Sequence, residues 1–585
     1  MPRIAIVEKD KCYPQQCGNY LCIRLCPINR AGDECIVKGD DSKARIMPEL
    51  CTGCGICPKK CPFGAIHIIN LPEELDNTPI HRYGLNGFHL YNLPTPLFGK
   101  VVGVLGRNGI GKSTAIKILA GALVPNLGSE EGQASYDEII DYFKGQEAQL
   151  YFQTIKEGKI NVAYKPQAVE LIPKHSKGSV QALLQKVDEK QQLSRVVKEL
   201  QLGKILDHDI STISGGELQR VALAATVLKK ANVCFFDEPT SYLDIKQRIR
   251  AGTFIQQLAT KDTAVVVIEH DLIILDYVTD LVHLMYGEQA CYGITSLPKS
   301  TKNGINIYLE GYIKDENMRF RDHAIAFHAK LPSDIQGQGT LISWQGIKKQ
   351  LGPFSLAAPA GEIKNGEVVG MLGENGIGKT SFVKMLAGVL EWDEGSISTK
   401  LKVSYKPQYI ASESEAAVMT VLDAAMQKYS NQLIKPLELR HILEKRICDL
   451  SGGELQRVAI AECLGRDADL YLLDEPSAYL DVEQRLAVSK VIRDMMSLRA
   501  ASAMIVDHDL LFIDYISDRI CVVDGEPAVR GEVRGIYSME EGMNLFLEGL
   551  GITFRRDNES ARPRANKVGS QLDQKQKVEG KLYYG

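Results

Sequence analysis

Ser214-Gly215-Gly216-Glu217-Leu218-Gln219-Arg220, with Asp237-Glu238-Pro239 and Tyr242-Leu243-Asp244 after it, decides how this chain is read, because the chain contains it twice. The same residues return at Ser451-Gly452-Gly453-Glu454-Leu455-Gln456-Arg457, Asp474-Glu475-Pro476 and Tyr479-Leu480-Asp481, each 237 positions later. Upstream of each copy stands a glycine-rich loop, Gly106-Arg107-Asn108-Gly109-Ile110-Gly111-Lys112-Ser113-Thr114 and Gly373-Glu374-Asn375-Gly376-Ile377-Gly378-Lys379-Thr380-Ser381. A constant internal offset marks a tandem duplication. The duplicated unit binds nucleotide.

An apolar run at 101–105 enters the first loop, and a helix is expected from Lys112. In that strand–loop–helix setting, backbone N–H groups around Asn108, Gly109 and Gly111 cradle phosphate at the positive end of the helix dipole. Lys112 and Lys379 are expected to reach the β- and γ-phosphates, and Ser113 and Thr380 to ligate Mg2+. Thr114 and Ser381 close the loops, and Asn375, Gly376 and Gly378 form the second cradle. The apolar run 233–236 ends in Asp237 and Glu238. The aspartate is expected to hold the Mg2+ shell, and the glutamate to polarise the attacking water. Asp474 and Glu475 repeat those roles. Tyr83 and Phe88 are candidates for stacking on adenine, against ordinary core packing. Trp344 and Phe354 are weaker counterparts in the second copy.

At 585 residues the chain is too long for one core, and about 150 residues per domain suggests three or four domains. With 44% hydrophobic and 24% charged residues it reads as ordinary globular protein. No apolar run is long enough to span a membrane, and no apolar segment follows Met1-Pro2-Arg3-Ile4 as in a secretory signal, so a cytoplasmic protein is expected. The net charge of −4 gives no global pull toward nucleic acid, which leaves local basic patches for any RNA contact.

Nine of the fourteen cysteines precede residue 62. Cys51, Cys54, Cys57 and Cys61-Pro62 have the ferredoxin spacing, in which the last cysteine serves the other cluster. Cys12, Cys17, Cys22 and Cys26-Pro27 form a wider second run. Two [4Fe–4S] cubanes are expected, one on Cys12, Cys17, Cys22 and Cys61, the other on Cys26, Cys51, Cys54 and Cys57. Cys35 is left over. Two four-cysteine zinc sites are the alternative, although zinc knuckles usually present their cysteines as separated pairs. The wide first run leaves the partition of ligands open. Nothing nearby resembles a destination for electrons, so the clusters are expected to brace the fold.

The phosphate loops lie 267 positions apart, but Gln167 and Gln408 only 241, so the first copy carries 26 extra residues. Ser135 and Glu138 there form a capping box, and Tyr136, Ile139, Ile140 and Phe143 recur at helical spacing. The same period follows at Ala148, Tyr151, Phe152 and Ile155. A helix–loop–helix insert near 130–158 is expected. After each copy, Gly287-Glu288 and Leu309-Glu310-Gly311 repeat as Gly525-Glu526 and Leu547-Glu548-Gly549, shifted by 238, and Phe320-Arg321 recurs as Phe554-Arg555. These paired extensions read as two halves of a hinge. Lys299, Lys302, Arg319, Arg321, Arg555 and Arg556 are candidates there for phosphate-backbone contacts. The polar stretch 558–585 reads as a mobile tail, anchored at most by Leu582-Tyr583-Tyr584.

The nucleotide motifs resemble those of the ATP-binding cassette superfamily. The resemblance implies that Gln167 and Gln408 contact metal and water, and that His270 and His508 steady the γ-phosphate. It also implies that the Ser214-Gly215-Gly216 and Ser451-Gly452-Gly453 stretches bind the γ-phosphate held by the opposite cassette. Lys112, Ser113, Gln167, Asp237, Glu238 and His270 would then be completed by Ser451 and Gly453. Lys379, Thr380, Gln408, Asp474, Glu475 and His508 would be completed by Ser214 and Gly216.

With two ferredoxin-type runs ahead of two cassettes, the insert, the hinge repeats and the 83–88 stretch, the chain resembles the RNase L inhibitor family, subfamily E of the cassettes. The expected α/β fold is two tandem head-to-tail ATP-binding cassettes with an N-terminal ferredoxin-like domain and a two-part hinge. Expected boundaries are 1–75 for the iron–sulfur domain, 76–285 and 341–523 for the cassettes, 286–340 and 524–557 for the hinge, and 558–585 for the tail. The resemblance implies a Mg2+-dependent ATPase that splits ribosomes together with a release factor or Pelota-like factor. It implies binding chiefly to the small subunit (rRNA and protein), the insert and hinge as ribosome contacts, and initiation factors as further partners. A monomer with intramolecular cassette pairing and no membrane partner is expected. Rival readings are the ATPase subunit of a membrane transporter, an ATP-coupled iron–sulfur redox protein, and a paired-cassette translation factor without clusters.

Overall fold

A computed structural model describes residues 3–47, 50–70, 78–129, 132–321, 324, 325, 327, 339–398, 401–408 and 413–584. Residues 71–77, most of the linker expected around Leu71 to Pro79, and 328–338, in the first hinge part, lie outside these residues. Two compact units emerge, Met1–Pro239 with Phe254–Glu269 and Thr279–Ala324, and Thr240–Thr253 with His270–Val278 and Ile325–Gly585. The division differs from the expected 76–285 boundary: two short segments of the first sequence copy belong to the second unit.

In the first unit, the head pairs strand Arg3–Val7 antiparallel with Ile66–Asn70, and Ile36–Lys38 with Ala44–Ile46. Short helices Leu21–Leu25 and Ile56–Lys60 carry one cysteine each, Cys22 and Cys57. The adjoining sheet holds parallel strands in the order Val162–Lys165, Val233–Asp237, Ala264–Ile268, Val101–Leu105 and Leu281–Glu288. All five residues of each of the strands Val101–Leu105, Val233–Asp237 and Ala264–Ile268 are buried, as continuous apolar runs in a covered parallel sheet should be. This order brings the loop after Leu105 and the carboxylates after Phe236 to the same, carboxyl-terminal edge.

The second unit repeats the design with Val403–Lys406, Leu470–Asp474, Ser502–Val506, Val368–Leu372 and Arg519–Glu526. Helices Thr301–Glu310 and Met539–Leu550 begin 238 positions apart, in register with the repeat. They end out of register: Gly311 caps the first in a left-handed conformation, whereas Gly549 lies within the second, which Gly551 caps.

The insert forms helices Tyr136–Tyr142 and Glu147–Lys156, the first opened by the Ser135–Glu138 capping box. Ile139, Phe143, Tyr151 and Phe152 pack into the core of the first unit, and the Tyr151 hydroxyl donates to Leu119 O at 2.7 Å. Tyr136, counted on the apolar face by its spacing, is 41% exposed because it begins the helix.

The stretch expected to be a mobile tail is folded. Strand Pro563–Ala565 pairs with Phe554–Arg556, and helix Gln571–Glu579 follows. Its polar residues point inward: the Asn566 amide donates to Thr553 Oγ1 at 2.7 Å and Gln576 Oε1 at 2.6 Å, and the Thr553 hydroxyl donates to Asp573 at 2.9 Å. Arg564 binds Asp276 bidentately at 2.6 and 2.9 Å, with Arg562 3.2 Å from the same carboxylate. Asp276→Ala leaves the buried Arg562 and the partly buried Arg564 without that carboxylate, and loss of one partner of a buried pair costs about 3–5 kcal/mol. A matching fall in the urea midpoint of the second unit is expected. An unchanged midpoint would remove this cluster from the account of the tail.

The hinge cations are also partly consumed internally. Lys299 is buried and pairs with Asp315 at 2.8 Å. Arg321 lies over the Tyr308 ring, and Arg556 over that of Tyr584. Arg319 is exposed, above Tyr312, and remains available for phosphate.

Candidate nucleotide sites and cysteine clusters

Each phosphate loop turns directly from its strand into a helix, Lys112–Leu119 or Lys379–Leu386. Gly111 and Gly378 cap these helices at φ of 89° and 90°, a left-handed region that side chains avoid. A Cβ on Gly111 would also come within 2.6 Å of the Phe88 ring, and one on Gly378 within 3.0 Å of Phe354. Phe88 and Phe354 therefore wedge under equivalent loops. Trp344 is no counterpart of Tyr83: it is buried edge-on against Phe382, on the core-facing side of its strand. Tyr83 is 50% exposed, its hydroxyl 3.3 Å from Thr114 Oγ1, with a ring available to a base.

The loop carbonyls hold the lysines. Lys112 Nζ donates to Gly106 O at 2.8 Å and Arg107 O at 2.6 Å, and Lys379 Nζ to Gly373 O at 2.9 Å and Glu374 O at 2.6 Å. Burial pushes Lys379 down to about 8, although the acids around it favour its charge. The Thr380 hydroxyl donates to Asp474 at 2.6 Å, and Ser113 hydrogen-bonds Asp237. Burial raises both aspartates above the usual carboxylate range. A dry carboxylate beside a hydroxyl is the donor set that Mg2+ takes, and a divalent charge would reverse that shift.

Glu238 and Glu475 follow at φ of 46° and 48°, a left-handed conformation that costs a non-glycine residue energy. Gln167 Nε2 donates to Glu238 Oε1 at 2.7 Å, and Gln408 Nε2 to Glu475 Oε1 at 2.7 Å. Burial, then the charges of Asp507 and Asp474, raises the Glu475 carboxyl toward the range of a working base. His508 Nε2 stands 3.6 Å from Glu475, and burial, then Lys379 and Arg248, keeps its imidazole neutral. His270, two positions beyond strand Ala264–Ile268, belongs to the second unit, whereas Glu238 belongs to the first.

Ser214 and Ser451 cap 14-residue helices, Gly215–Leu228 and Gly452–Gly465, and each closes a capping box with the glutamate three positions on. Asp244 Oδ2 accepts from Asn375 N, in the second phosphate loop, at 3.1 Å. Lys246 pairs with Glu374 of that loop at 2.8 Å.

Three supports escaped the sequence reading. Lys165 Nζ donates to the carbonyls of Asp237 and Glu238 at 2.8 and 3.1 Å, and Lys406 to those of Asp474 and Glu475 at 2.8 and 3.2 Å. Gln219 and Gln456 donate to the same glutamate carbonyls at 2.7 and 2.6 Å. These bonds fix the turn that aims each glutamate. The signal was present, since Lys165 and Lys406 keep the 241-residue offset of Gln167 and Gln408. The third is Asn86, between Tyr83 and Phe88. Its amide donates to Ala5 O and Ile46 O and accepts from Ile46 N, all within 3.0 Å, binding the head to the aromatic loop. Asn86→Ala leaves those groups unpaired at about 1–3 kcal/mol. Hydrogen exchange at the Ile46 amide should accelerate tenfold or more, and unchanged protection would show that other contacts hold the head.

In the head, burial, and after it the neighbouring Cys12, Cys17 and Cys61, pushes the Cys22 thiol up to about 11. Burial, then Cys51 and Cys54, pushes Cys57 to about 12. Cys35, buried, hydrogen-bonds Cys26 and Cys51. Thus Cys61 stands with the first run, and Cys26 and Cys51 lie together beside the thiol that spacing left over. Crowded thiols, with Cys12, Cys26 and Cys57 buried, fit a cubane held by thiolates, and such a cluster would supply positive charge that stabilises their ionised forms.

The ABC transporter model matches residues 98–241 and 357–478, a possible Fer4-like domain in RNase L inhibitor matches 2–34, and a 4Fe-4S binding domain matches 44–67. An uncharacterized ABC transporter ATP-binding protein of Methanocaldococcus jannaschii is 50% identical, over 100% of this chain and 97% of its own. The translation initiation factor RLI1 of Saccharomyces cerevisiae is 45% identical, over 100% and 98%. The archaeal structure described as a model of ribosome-bound Pelota and ABCE1 superposes with a TM-score of 0.93 at 52% identity, covering 100% of this chain and 99% of that one. With two ATP-hydrolysing cassettes that use Mg2+ and a head that holds [4Fe–4S] clusters, the chain belongs to the RNase L inhibitor family, subfamily E of the ATP-binding cassette proteins.

Proposed function

We propose that this chain is a cytoplasmic ribosome-recycling ATPase, which uses ATP-driven closure of its cassettes to split ribosomes with a release factor or Pelota-like factor and then stays on the small subunit. Lys112, Ser113, Gln167, Asp237, Glu238 and His270 act with Ser451 and Gly453, and the second set with Ser214 and Gly216. The observation that carries this reading is the aromatic loop. Asn86 binds the head while Phe88, two residues on, packs beneath the phosphate loop at Gly111. A change at the nucleotide is therefore passed to the head through a few residues.

Within the second unit, Asp244, from the acidic segment of the first sequence copy, meets Asn375 of the phosphate loop. Each ATP then binds more tightly when the halves meet, and only that difference shifts the equilibrium. A swing from 1:99 to 99:1 needs about 5.5 kcal/mol, within reach of two nucleotides. The proposed domain limits are those of the sequence, with 558–584 added to the folded part.

A gradient of purified ribosomes with this chain, a release factor and a non-hydrolysable ATP analogue tests the reading. Free subunits should appear, with the chain on the small one. Intact ribosomes and unbound chain would refute it.

A further inference from the structure

Among the described residues, one cluster of ligating side chains lies outside the cysteine runs and the nucleotide sites. His67, on the head strand Ile66–Asn70, faces Glu288 and Cys291, at the turn between strands Leu281–Glu288 and Tyr292–Thr295. Their ligating atoms all lie within 4.8 Å of one another, with His67 Nδ1 3.7 Å from Glu288 Oε1. We propose that His67, Glu288 and Cys291 form a binding site for a thiophilic divalent cation of the Zn2+ class, joining the iron–sulfur head to this hairpin.

Imidazole nitrogen, thiolate sulfur and carboxylate oxygen are the donors zinc prefers, and three protein ligands leave a fourth position for water. The second observation is the far side of the ring. His67 Nε2 meets Glu8 Oε1 at 2.7 Å, and Glu8 in turn pairs with Lys11 at 2.7 Å. A carboxylate on the other nitrogen is the usual partner of a metal-bound histidine: it fixes the tautomer so that Nδ1 presents its lone pair. In that tautomer Nδ1, 3.7 Å from Glu288 Oε1, is the nitrogen left to the cation.

The duplication supplies an internal comparison. Shifted by 238, Gly287-Glu288-Gln289-Ala290-Cys291 becomes Gly525-Glu526-Pro527-Ala528-Val529. Valine stands exposed in the second hairpin, and cysteine stands buried in the one that meets a histidine. A turn that only had to fill space at Cys291, which is fully buried, would accept the valine. On binding, the Cys291 thiol gives its proton to water and its sulfur lone pair to the cation, so affinity should rise with pH.

The site's position gives it a consequence. Ala290 N donates to Gly109 O at 3.0 Å, so the hairpin tip touches the first phosphate loop. A cation at its base ties the head to that loop along a path separate from Asn86.

The test uses the full chain with both iron–sulfur clusters, prepared anaerobically and dialysed against micromolar Zn2+. Elemental analysis should find about one zinc per chain. X-ray absorption at the zinc edge should show one sulfur near 2.3 Å with nitrogen and oxygen at about 2.0–2.2 Å. Cys291→Val, which installs the residue of the second copy, should lower bound zinc at least tenfold with iron content unchanged. Glu288→Gln, at an exposed position, should weaken binding about tenfold or more. No retained zinc, zinc kept undiminished by Cys291→Val, or an all-sulfur shell would overturn the proposal.

Discussion

Glu238→Gln combined with Glu475→Gln is expected to slow ATP turnover by about a hundredfold or more, the range over which a positioned base contributes. Both carboxylates receive an amide hydrogen bond at 2.7 Å from Gln167 or Gln408, and both backbones are strained by their positive φ. Glutamine keeps the shape and an accepting oxygen, so the phosphate loops should still fill. What is lost is the negative charge that draws a proton from water. The variant should therefore hold ATP, stay closed and accumulate on small subunits in the presence of ATP itself. Normal turnover by the double variant would show that the proton goes elsewhere. Lys165→Met gives a milder version, because it removes one hydrogen bond from each of the Asp237 and Glu238 carbonyls without touching either carboxylate.

Cys61→Ser should remove the same cluster as Cys12→Ser, although Cys61 closes the other cysteine run. Cys22 and Cys12 both sense Cys61, whereas Cys26 lies against Cys35 with Cys51. Each substitution replaces a soft thiolate with an alcohol, and each should lower iron to about half while the other cubane persists. Cys61→Ser and Cys57→Ser should together remove nearly all iron. If Cys61→Ser instead spared the cluster that Cys12→Ser destroys, the crossed partition would be wrong. Cys35→Ser should leave iron nearly unchanged, as expected of a thiol beside two ligands and not among them.

The parts legible in the sequence were those that chemistry fixes in short spacings. A cubane needs three close thiols, a phosphate needs glycines before a helix, and water activation needs a carboxylate at a strand end. The insert was legible too, because a capping box and a 3.6-residue period belong to local structure. What failed depended on distant partners. Asn566, Asp573 and Gln576 look like solvated tail residues until the fold gives them Thr553 and one another. Lys299 looks like an RNA contact until Asp315 occupies it. Trp344 resembles a platform for adenine by position, and the inward face of its strand makes it core. The buried lysines were hidden for the opposite reason: a lysine after an apolar strand reads as exposed, and only two backbone carbonyls at its tip make burial tolerable.

The central claim is that two half-sites on one polypeptide close across each other when ATP binds. A photoreactive amino acid at Ser451, followed by peptide mapping, tests it most directly. The account predicts an ATP-dependent crosslink to the loop containing Asn108 and Lys112. A crosslink to the loop of its own copy, around Asn375 and Lys379, or a pattern indifferent to ATP, would contradict it.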